Sequence, residues 1–443
     1  MKRLFALGLA VAMLLVSATG CGKKAEKKKA AVTTNTKLQA GDTNLTWAEV
    51  KAKMPKDLGK EIVFYNWNEA SSMPGAEKAI ENFTKETGIS VKWKTASYSE
   101  YSTELAAMIT TNNSPDIVRL RCQDPAVIPY LTPISDYGYD FTDQAWDHDA
   151  MYFYMFNNKP YAAVLKDTPY FQPSVIYYNR DLVTRFNMED PYTLWKAGEW
   201  TYDKFAQMCV KFSKTVGSQY TAITTINAGY NYTMGVAFSR YNPEKNKFES
   251  NMDSKDLLTA WQWTSQLNAK NVISETQIDY DGFDNGLILF YTDSLIAART
   301  THFYCKPLKA QGNLGVVPLP SIAGRDYLVN LSENEAYAIP QGAKNPKAVP
   351  YFLRYWLSSE NYDMSKFYCD AQAKEVADYL KTQDYTMNCD AWMNKEVHGA
   401  SHIEIGMALR NSDPAQVKTV IDSYKPVIDT YVEMANEKIA DMN

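Results

Sequence analysis

The chain has 443 residues, 45% of them hydrophobic and 22% charged, the balance of a soluble globular protein and not of a disordered or fibrous one. That length exceeds one ordinary core and suits two domains, or two lobes sharing one chain. A net charge of −5 argues against a nucleic-acid partner, whose phosphates call for clustered Lys and Arg.

The N-terminus carries an address. Lys2 and Arg3 precede an apolar stretch of 13 residues from Leu4 to Val16, too short to span a bilayer and suited to the core of a signal peptide. The stretch ends in Ala18-Thr19-Gly20-Cys21, which resembles a bacterial lipobox, with Ala18 where Leu is usual. Residues 1–20 are therefore read as a lipoprotein signal peptide and Cys21 as the lipidated residue. More than one acyl chain makes stable anchoring, so the expected location is the extracytoplasmic face of the cell membrane. Lys23, Lys24, Lys27, Lys28 and Lys29 follow, a solvated tether that also gains attraction beside anionic lipid. Residues 22 to about 45 have no apolar period and read as flexible; the folded body is expected to begin at Glu61, with 21–60 as lipidated Cys and stalk. Five further cysteines, an odd number with no Cys-x-x-Cys spacing, predict neither a disulfide framework nor a zinc site; Cys369 with Cys389 is the one pairing left open.

From Glu61 the pattern alternates. Ile62 to Tyr65 reads as a buried strand; Ala76, Ala79, Ile80 and Phe83 have helical spacing up to Gly88; Ile89 to Trp93 is a second strand. Tyr101 to Thr110 is helical and Asp116-Ile117-Val118 opens a third strand, the order of a parallel sheet wrapped by helices. After a break come a strand at Ser174 to Tyr178, helices over 203–212 and 254–269, and strands at Leu287 to Tyr291, Leu314 to Pro318 and Tyr337 to Pro340; the last hundred residues are mostly helical.

These pieces together resemble a family. Glu61-Ile62-Val63-Phe64-Tyr65-Asn66-Trp67, Thr87-Gly88-Ile89-Ser90-Val91, Ser114-Pro115-Asp116-Ile117-Val118, Val175 to Leu182, Glu199 to Phe205, Phe283-Asp284-Asn285-Gly286, Gly315 to Pro320 and Lys344 to Ala348 occur in the order of similar elements in the maltose-binding-protein type of extracellular solute-binding protein. These are the sugar-binding components of ABC importers. The resemblance implies an α/β, two-lobed periplasmic-binding-protein-like fold (class II) with a hinge between lobes and ligand in the cleft. It implies a first lobe of 61–168 and 320–358 and a second of 169–319 and 359–443. It also implies a monomer that binds a carbohydrate and passes it to the permease subunits, with no catalysis, no cofactor and no metal.

A sugar cleft needs aromatic plates for pyranose faces and planar polar side chains for hydroxyls that both donate and accept. The loops after strand carboxyl ends offer Trp67, Asn68 and Glu69, then Arg121, Gln123 and Asp124. Gln172 falls where the family often has an acid, seven residues before Asn179, and Tyr170 or Phe171 beside it can stack. The family's later tryptophan is missing after Leu287 to Tyr291, so Asp293 and the loop residues Tyr230 and Tyr232 are its candidate replacements. Glu333 and Glu335 suit hydroxyls or a cationic ligand, and Trp392 is a late plate; Trp200 reads instead as packing at a helix start. His398 and His402 lack the His-Glu-x-x-His order of a zinc protease, and there is no Gly-x-Ser-x-Gly elbow or phosphate loop. Paired carboxylates are invisible to sequence, so a surface glycoside hydrolase or lyase stays open, as does a binder of a non-sugar ligand such as a polyamine.

Overall fold

The structure, a computed structural model, describes residues 34–443 apart from 74, 98–99, 121–122, 225–235, 274–279, 300–304, 323–328, 332–335, 365–366, 388–392, 394 and 443. The signal segment, Cys21, Arg121, Tyr230, Tyr232, Glu333, Glu335, Cys389 and Trp392 lie outside the described residues.

Helix α1 (Trp47–Ala52) opens on a capping box, Thr46 with Glu49. The first lobe then runs β1 (Glu61–Asn66), α2 (Ala76–Thr87), β2 (Ser90–Thr95), α3 (Tyr101–Thr110), β3 (Ile117–Leu120), β4 (Leu131–Thr132), α4 (His148–Tyr152), β5 (Met155–Phe156), β6 (Lys159–Pro160) and β7 (Ala162–Ala163). The second follows with β8 (Ser174–Asn179), α5 (Arg180–Arg185), α6 (Pro191–Lys196), α7 (Tyr202–Thr215), β9 (Thr221–Ile223), β10 (Ser239–Asn242), β11 (Lys247–Ser250), α8 (Lys255–Asn268), α9 (Tyr280–Asp284), β12 (Ile288–Ser294), α10 (Lys306–Ala310) and β13 (Leu314–Pro318). The chain returns through β14 (Val329–Leu331), β15 (Ala336–Pro340) and α11 (Val349–Trp356), and ends in α12 (Ala371–Leu380), β16 (Tyr385–Met387), α13 (Lys395–His398), α14 (His402–Asn411) and α15 (Val417–Ala440).

Each lobe is built on one sheet. The first has the order β2-β1-β3-β15-β4, with β7 also on β15; the second has the order β13-β8-β12-β9. Both are mixed, and here the structure departs from the parallel sheet expected. β1 pairs parallel with β2 and β3, but β15 runs antiparallel to β3, β4 and β7, and β8 runs antiparallel to both β12 and β13. Apolar periodicity marks a strand and says nothing of its direction, which is set by the chain crossing back between lobes.

Alternation along β8 shows how the second sheet is buried on both faces. Val175 and Tyr177 join the large apolar cluster that continues into the first lobe, while Ile176 and Tyr178 join the second lobe's own cluster with Leu182, Trp200, Phe205 and Phe290. Gly315 is required opposite: a Cβ there would sit 2.3 Å from the Tyr178 ring. A third cluster lies among α8, α14 and α15, with Phe238 stacked on Trp261 at 5.6 Å.

The folded body begins earlier than Glu61. Asn35 is buried, and Trp47 packs edge-on against Tyr355 at 4.8 Å while its Nε1 donates to Glu86 at 2.8 Å. The sequence hides this because the contacts come from side chains scattered through 34–60, among them Asn35, Leu38, Trp47 and Val50, with no repeating pattern. Cys209, Cys305 and Cys369 are free thiols. Replacing Trp47 with Ala is expected to cost about 3 kcal/mol or more of stability, as for other buried aromatic truncations, measured by denaturant unfolding; a stalk residue would cost nothing.

Candidate functional site

In parallel β-structure the loops beyond the strand carboxyl ends are where ligands sit. β1 and β3 are neighbours and both point their carboxyl ends to the same edge. Trp67 follows β1 there. Its half-buried ring rests on the guanidinium of Arg119, 4.3 Å from the ring centroid, and meets the edge of Tyr101 at 5.0 Å. Arg119 and Tyr101 are both buried. The Tyr101 hydroxyl donates to the Arg119 carbonyl at 2.9 Å and accepts from the Arg119 amide at 3.0 Å, so α3 is stitched to β3 directly beneath the tryptophan. Burial drives the Tyr101 phenol well above its ordinary pKa, and it stays a neutral hydrogen-bonding group. Tyr65, stacked on Tyr101 at 4.8 Å, donates to Glu104 at 2.6 Å; burial, and then that carboxylate, push its phenol upward too. A cation on a desolvated aromatic face contributes about 2 kcal/mol, so Trp67 is held firmly while part of its surface stays in solvent.

The neighbouring residues are more committed to structure. The Asn68 amide donates to the Asn66 side chain at 3.1 Å and its carbonyl accepts from Trp93 Nε1 at 2.8 Å; Glu69 is exposed. After β3, Gln123 is buried with its Nε2 on the Phe153 carbonyl at 2.9 Å. Asp124 accepts from Ser102 Oγ and from the Ala126 amide, both at 2.8 Å. It also lines a cavity of about 570 Å³ between α3 and the C-terminal helices, with Ser102, Thr103, Tyr130, His398, Tyr431 and Lys438 in the wall. His398 meets Tyr431 edge-on at 5.1 Å.

Tyr170 is wholly buried, tilted against Trp356 at 5.1 Å with its hydroxyl 3.1 Å from that of Tyr362, which is the setting of a core ring and not of an open plate. Gln172 is buried beside it, and a second buried guanidinium, Arg299, lies 5.5 Å from the Tyr170 ring. Asp293, half-buried on β12, accepts from the Tyr291 hydroxyl at 2.6 Å. Trp200 is core: 2% exposed, with Nε1 on the Pro318 carbonyl at 2.8 Å. Arg119, Tyr101 and Tyr431 were not among the sequence-predicted site residues, and His398 was weighed only as a metal ligand. Arg119 had a signal, since a charge inside the apolar strand Ile117-Val118-Arg119-Leu120 must find a partner. Nothing in the sequence links His398 and Tyr431 to the first lobe, because their helices are distant in sequence from the residues they line the cavity with.

Trp67 is thus a partly exposed aromatic braced at a sheet edge, and the cavity, whose lining does not include Trp67, is walled by hydroxyls, a carboxylate, an imidazole and one lysine. Residues 66–363 match the sequence profile of the family described as bacterial extracellular solute-binding protein. The chain belongs to that family. Comparison with curated proteins by sequence finds no match. Solved structures agree on the fold. The GacH receptor of Streptomyces glaucescens GLA.O, determined unliganded and with acarbose, is 17% identical with TM-score 0.60. Lmo0181 from Listeria monocytogenes, an ABC substrate-binding protein in complex with cycloalternan, is 16% identical with TM-score 0.62. UgpB from Mycobacterium tuberculosis, in complex with glycerophosphocholine, is 17% identical with TM-score 0.61. Each alignment covers 84% of this chain and 99% of the other. The two-lobed architecture of this solute-binding protein is thereby established, and among the described residues no helix is long and apolar enough to cross a membrane.

In this solute-binding protein the stitch under Trp67 is structural before it is functional. Tyr101→Phe leaves the Arg119 amide and carbonyl without the hydroxyl in a buried place, and is expected to lower stability by about 1–3 kcal/mol in denaturant unfolding. A loss near zero would mean that another group satisfies that backbone.

Proposed function

We propose that this solute-binding protein is the capture component of an ABC importer for a carbohydrate, tethered through lipidated Cys21 at the extracytoplasmic face, acting as a monomer and handing its ligand unchanged to the permease. The observation that carries the reading is Trp67: an indole pinned from below by a buried guanidinium and presented at the carboxyl edge of the first sheet. Such a plate suits the apolar face of a pyranose, and the hydroxyl, carboxylate and imidazole groups that line the cavity suit sugar hydroxyls. The cavity volume of about 570 Å³ lies inside the usual range for small-ligand sites and leaves room for more than one sugar ring. Acarbose on the GacH receptor and cycloalternan on Lmo0181 are carbohydrates held by the same fold, whereas glycerophosphocholine on UgpB shows that the fold alone does not choose the ligand class. The plate is what favours sugar here.

The test is a thermal-shift screen of the soluble body against sugars, oligosaccharides, glycerophosphodiesters and polyamines, since a ligand bound only to the native state raises its melting temperature. A saturable shift with a sugar recovered intact by mass spectrometry supports the reading. New reducing ends point to a hydrolase, and a shift confined to polyamines or phosphodiesters overturns the carbohydrate. With the sugar in hand, Trp67→Ala is expected to fold normally and lose about 1–3 kcal/mol of binding, by analogy with base stacking on aromatics. Trp200→Ala is expected to lose about 3–5 kcal/mol of stability and bind as before once folded. Calorimetric titration and a melting curve on each variant separate the two effects.

The anchor is tested separately. Cys21→Ala is expected to move the protein from the membrane fraction to the medium or periplasm with an unchanged melting curve. Retention in the membrane fraction would favour an uncleaved helix.

A further inference from the structure

The hairpin β10–β11 lies in the middle of the second lobe's sequence, yet it makes contacts with the first lobe as well as with α15. The Tyr241 ring meets Phe156 of β5 at 5.0 Å and Phe248 of its own hairpin at 5.3 Å, and all three are buried. Around them four asparagines from distant parts of the chain converge. Asn35 Nδ2 donates to the carbonyls of Met155 and Pro243, each at 2.8 Å, and Asn35 Oδ1 accepts from the Asn158 amide at 2.6 Å. Asn246, at the hairpin turn, donates to Asn157 Oδ1 at 2.7 Å and accepts from the Asn157 amide at 3.1 Å. Asn157 Nδ2 in turn holds the Met442 carbonyl at 2.6 Å, beyond the end of α15. Asn157, Asn158 and Asn246 all adopt left-handed backbone with φ of 50°, 61° and 49°, which Asn tolerates better than most residues. Finally, Asn436 on α15 brackets Phe248, accepting from its amide at 2.7 Å and donating to its carbonyl at 3.0 Å, as a neighbouring strand would.

We infer that this is a clasp: the hairpin 239–250 and the last turns of α15 travel with the first lobe, and the body that swings over the ligand is the second sheet with α5–α7 and α12. The inference rests on the reading of the protein as a two-lobed binder that closes on its solute. The clasp redraws the moving boundary, which the order of the sequence would place at residue 169. It also assigns roles to parts of the chain outside the family match of 66–363, namely Asn35, Asn436 and Met442. α15, with 24 residues and a length of about 36 Å, becomes the strap. Val417, Ile421, Ile428 and Tyr431 sit in the third apolar cluster, and Asn436 and the residues after it sit in the clasp. Closure is then a rotation of one sheet layer against a body made of the first lobe and the strap, a hinge motion with a smaller moving part than two equal lobes.

The experiment needs no ligand. Spin labels are placed, through an introduced non-cysteine reactive residue, at exposed Lys78 on α2, Glu244 in the hairpin turn and Lys214 on α7, and distance distributions are measured in the unliganded full body. The clasp predicts a single narrow distribution for 78–244 and a broad or two-population one for 78–214. Asn35→Ala with Asn157→Ala is expected to broaden 78–244 toward the width of 78–214. Tyr241→Phe, which keeps the ring, should show the same trend in a milder form if the double variant fails to fold. A 78–244 distribution as broad as 78–214 in the unsubstituted protein overturns the clasp while leaving closure intact. Unchanged width in a folded clasp variant overturns the role of the asparagines. Two narrow distributions mean that the lobes do not move, and then the closing reading falls together with the clasp.

Discussion

The packing of one indole fixes how the two lobes are joined. Trp356, at the end of α11, touches Phe64 of β1 at 5.3 Å, Trp93 of β2 at 5.7 Å, Tyr337 of β15 at 5.3 Å and Phe352 of its own helix at 5.8 Å. On its other side it meets Tyr170, on the first segment crossing between lobes, at 5.1 Å. Its carbonyl accepts from the Tyr362 hydroxyl, on the last crossing segment, at 2.6 Å. Three strands of one sheet and two of the chain's passages between lobes therefore share a single buried contact surface. Close-packed interiors transmit displacement and do not absorb it, so the crossings leave the first lobe at angles set by its core. Asp167 adds a polar tie nearby, pairing with Lys381 at 2.7 Å and bonding Ser359. Burial alone would raise its carboxyl, yet these partners hold it below the ordinary carboxylate range.

From that anchored core the site follows by geometry. β1 and β3 are fixed in parallel register, Phe64 opposite Ile117 and Tyr65 opposite Val118. The residues just beyond, Trp67 on one and the Arg119 side chain on the other, are thereby brought into contact. The tryptophan is held by the strand next door, through Arg119, and by Tyr101 at the start of α3. Preorganisation of this kind removes most of the ordering cost that a loop-borne plate would incur on binding.

How much of this could be read from the residues depends on the range of the physics involved. Strand and helix positions were legible because burial imposes a period: β1, β8, β13, α2 and α3 fall where alternation or helical spacing placed them. Strand direction was not, since Ala336–Pro340 carries the same apolar signal either way round. The start of the folded body was hidden because segment 34–60 contributes single buried side chains, Asn35, Trp47 and Val50, with no repeating pattern. Trp67 and Asp124 were legible as residues after strand ends, where the structure places them. Which of Tyr170 and Phe171 could serve as a plate was left open, because adjacent aromatics in sequence do not reveal which one faces the core; Tyr170 does. The wall supplied by His398, Tyr431 and Lys438 depends on contacts between residues about 300 positions apart, which only the folded chain defines.

The two walls of the site have different consequences for transport. Arg119 and Tyr101, both of the first lobe, brace Trp67, so on the proposed function its contact with a solute exists in an open cleft as well as in a closed one. A contact present in both states adds affinity without shifting their balance. Closure, the change a permease can sense, must come from groups that reach the solute only when the second sheet approaches. On the proposed function Asp293 is a candidate for such a group, since it sits on β12 of that sheet with its carboxylate bonded by the Tyr291 hydroxyl. Affinity and signalling are thus separable on this scaffold: the first lobe can hold a sugar tightly while the number of hydroxyls engaged from the second decides whether holding becomes closing. A solute that satisfied the plate alone would occupy the site and leave the cleft open.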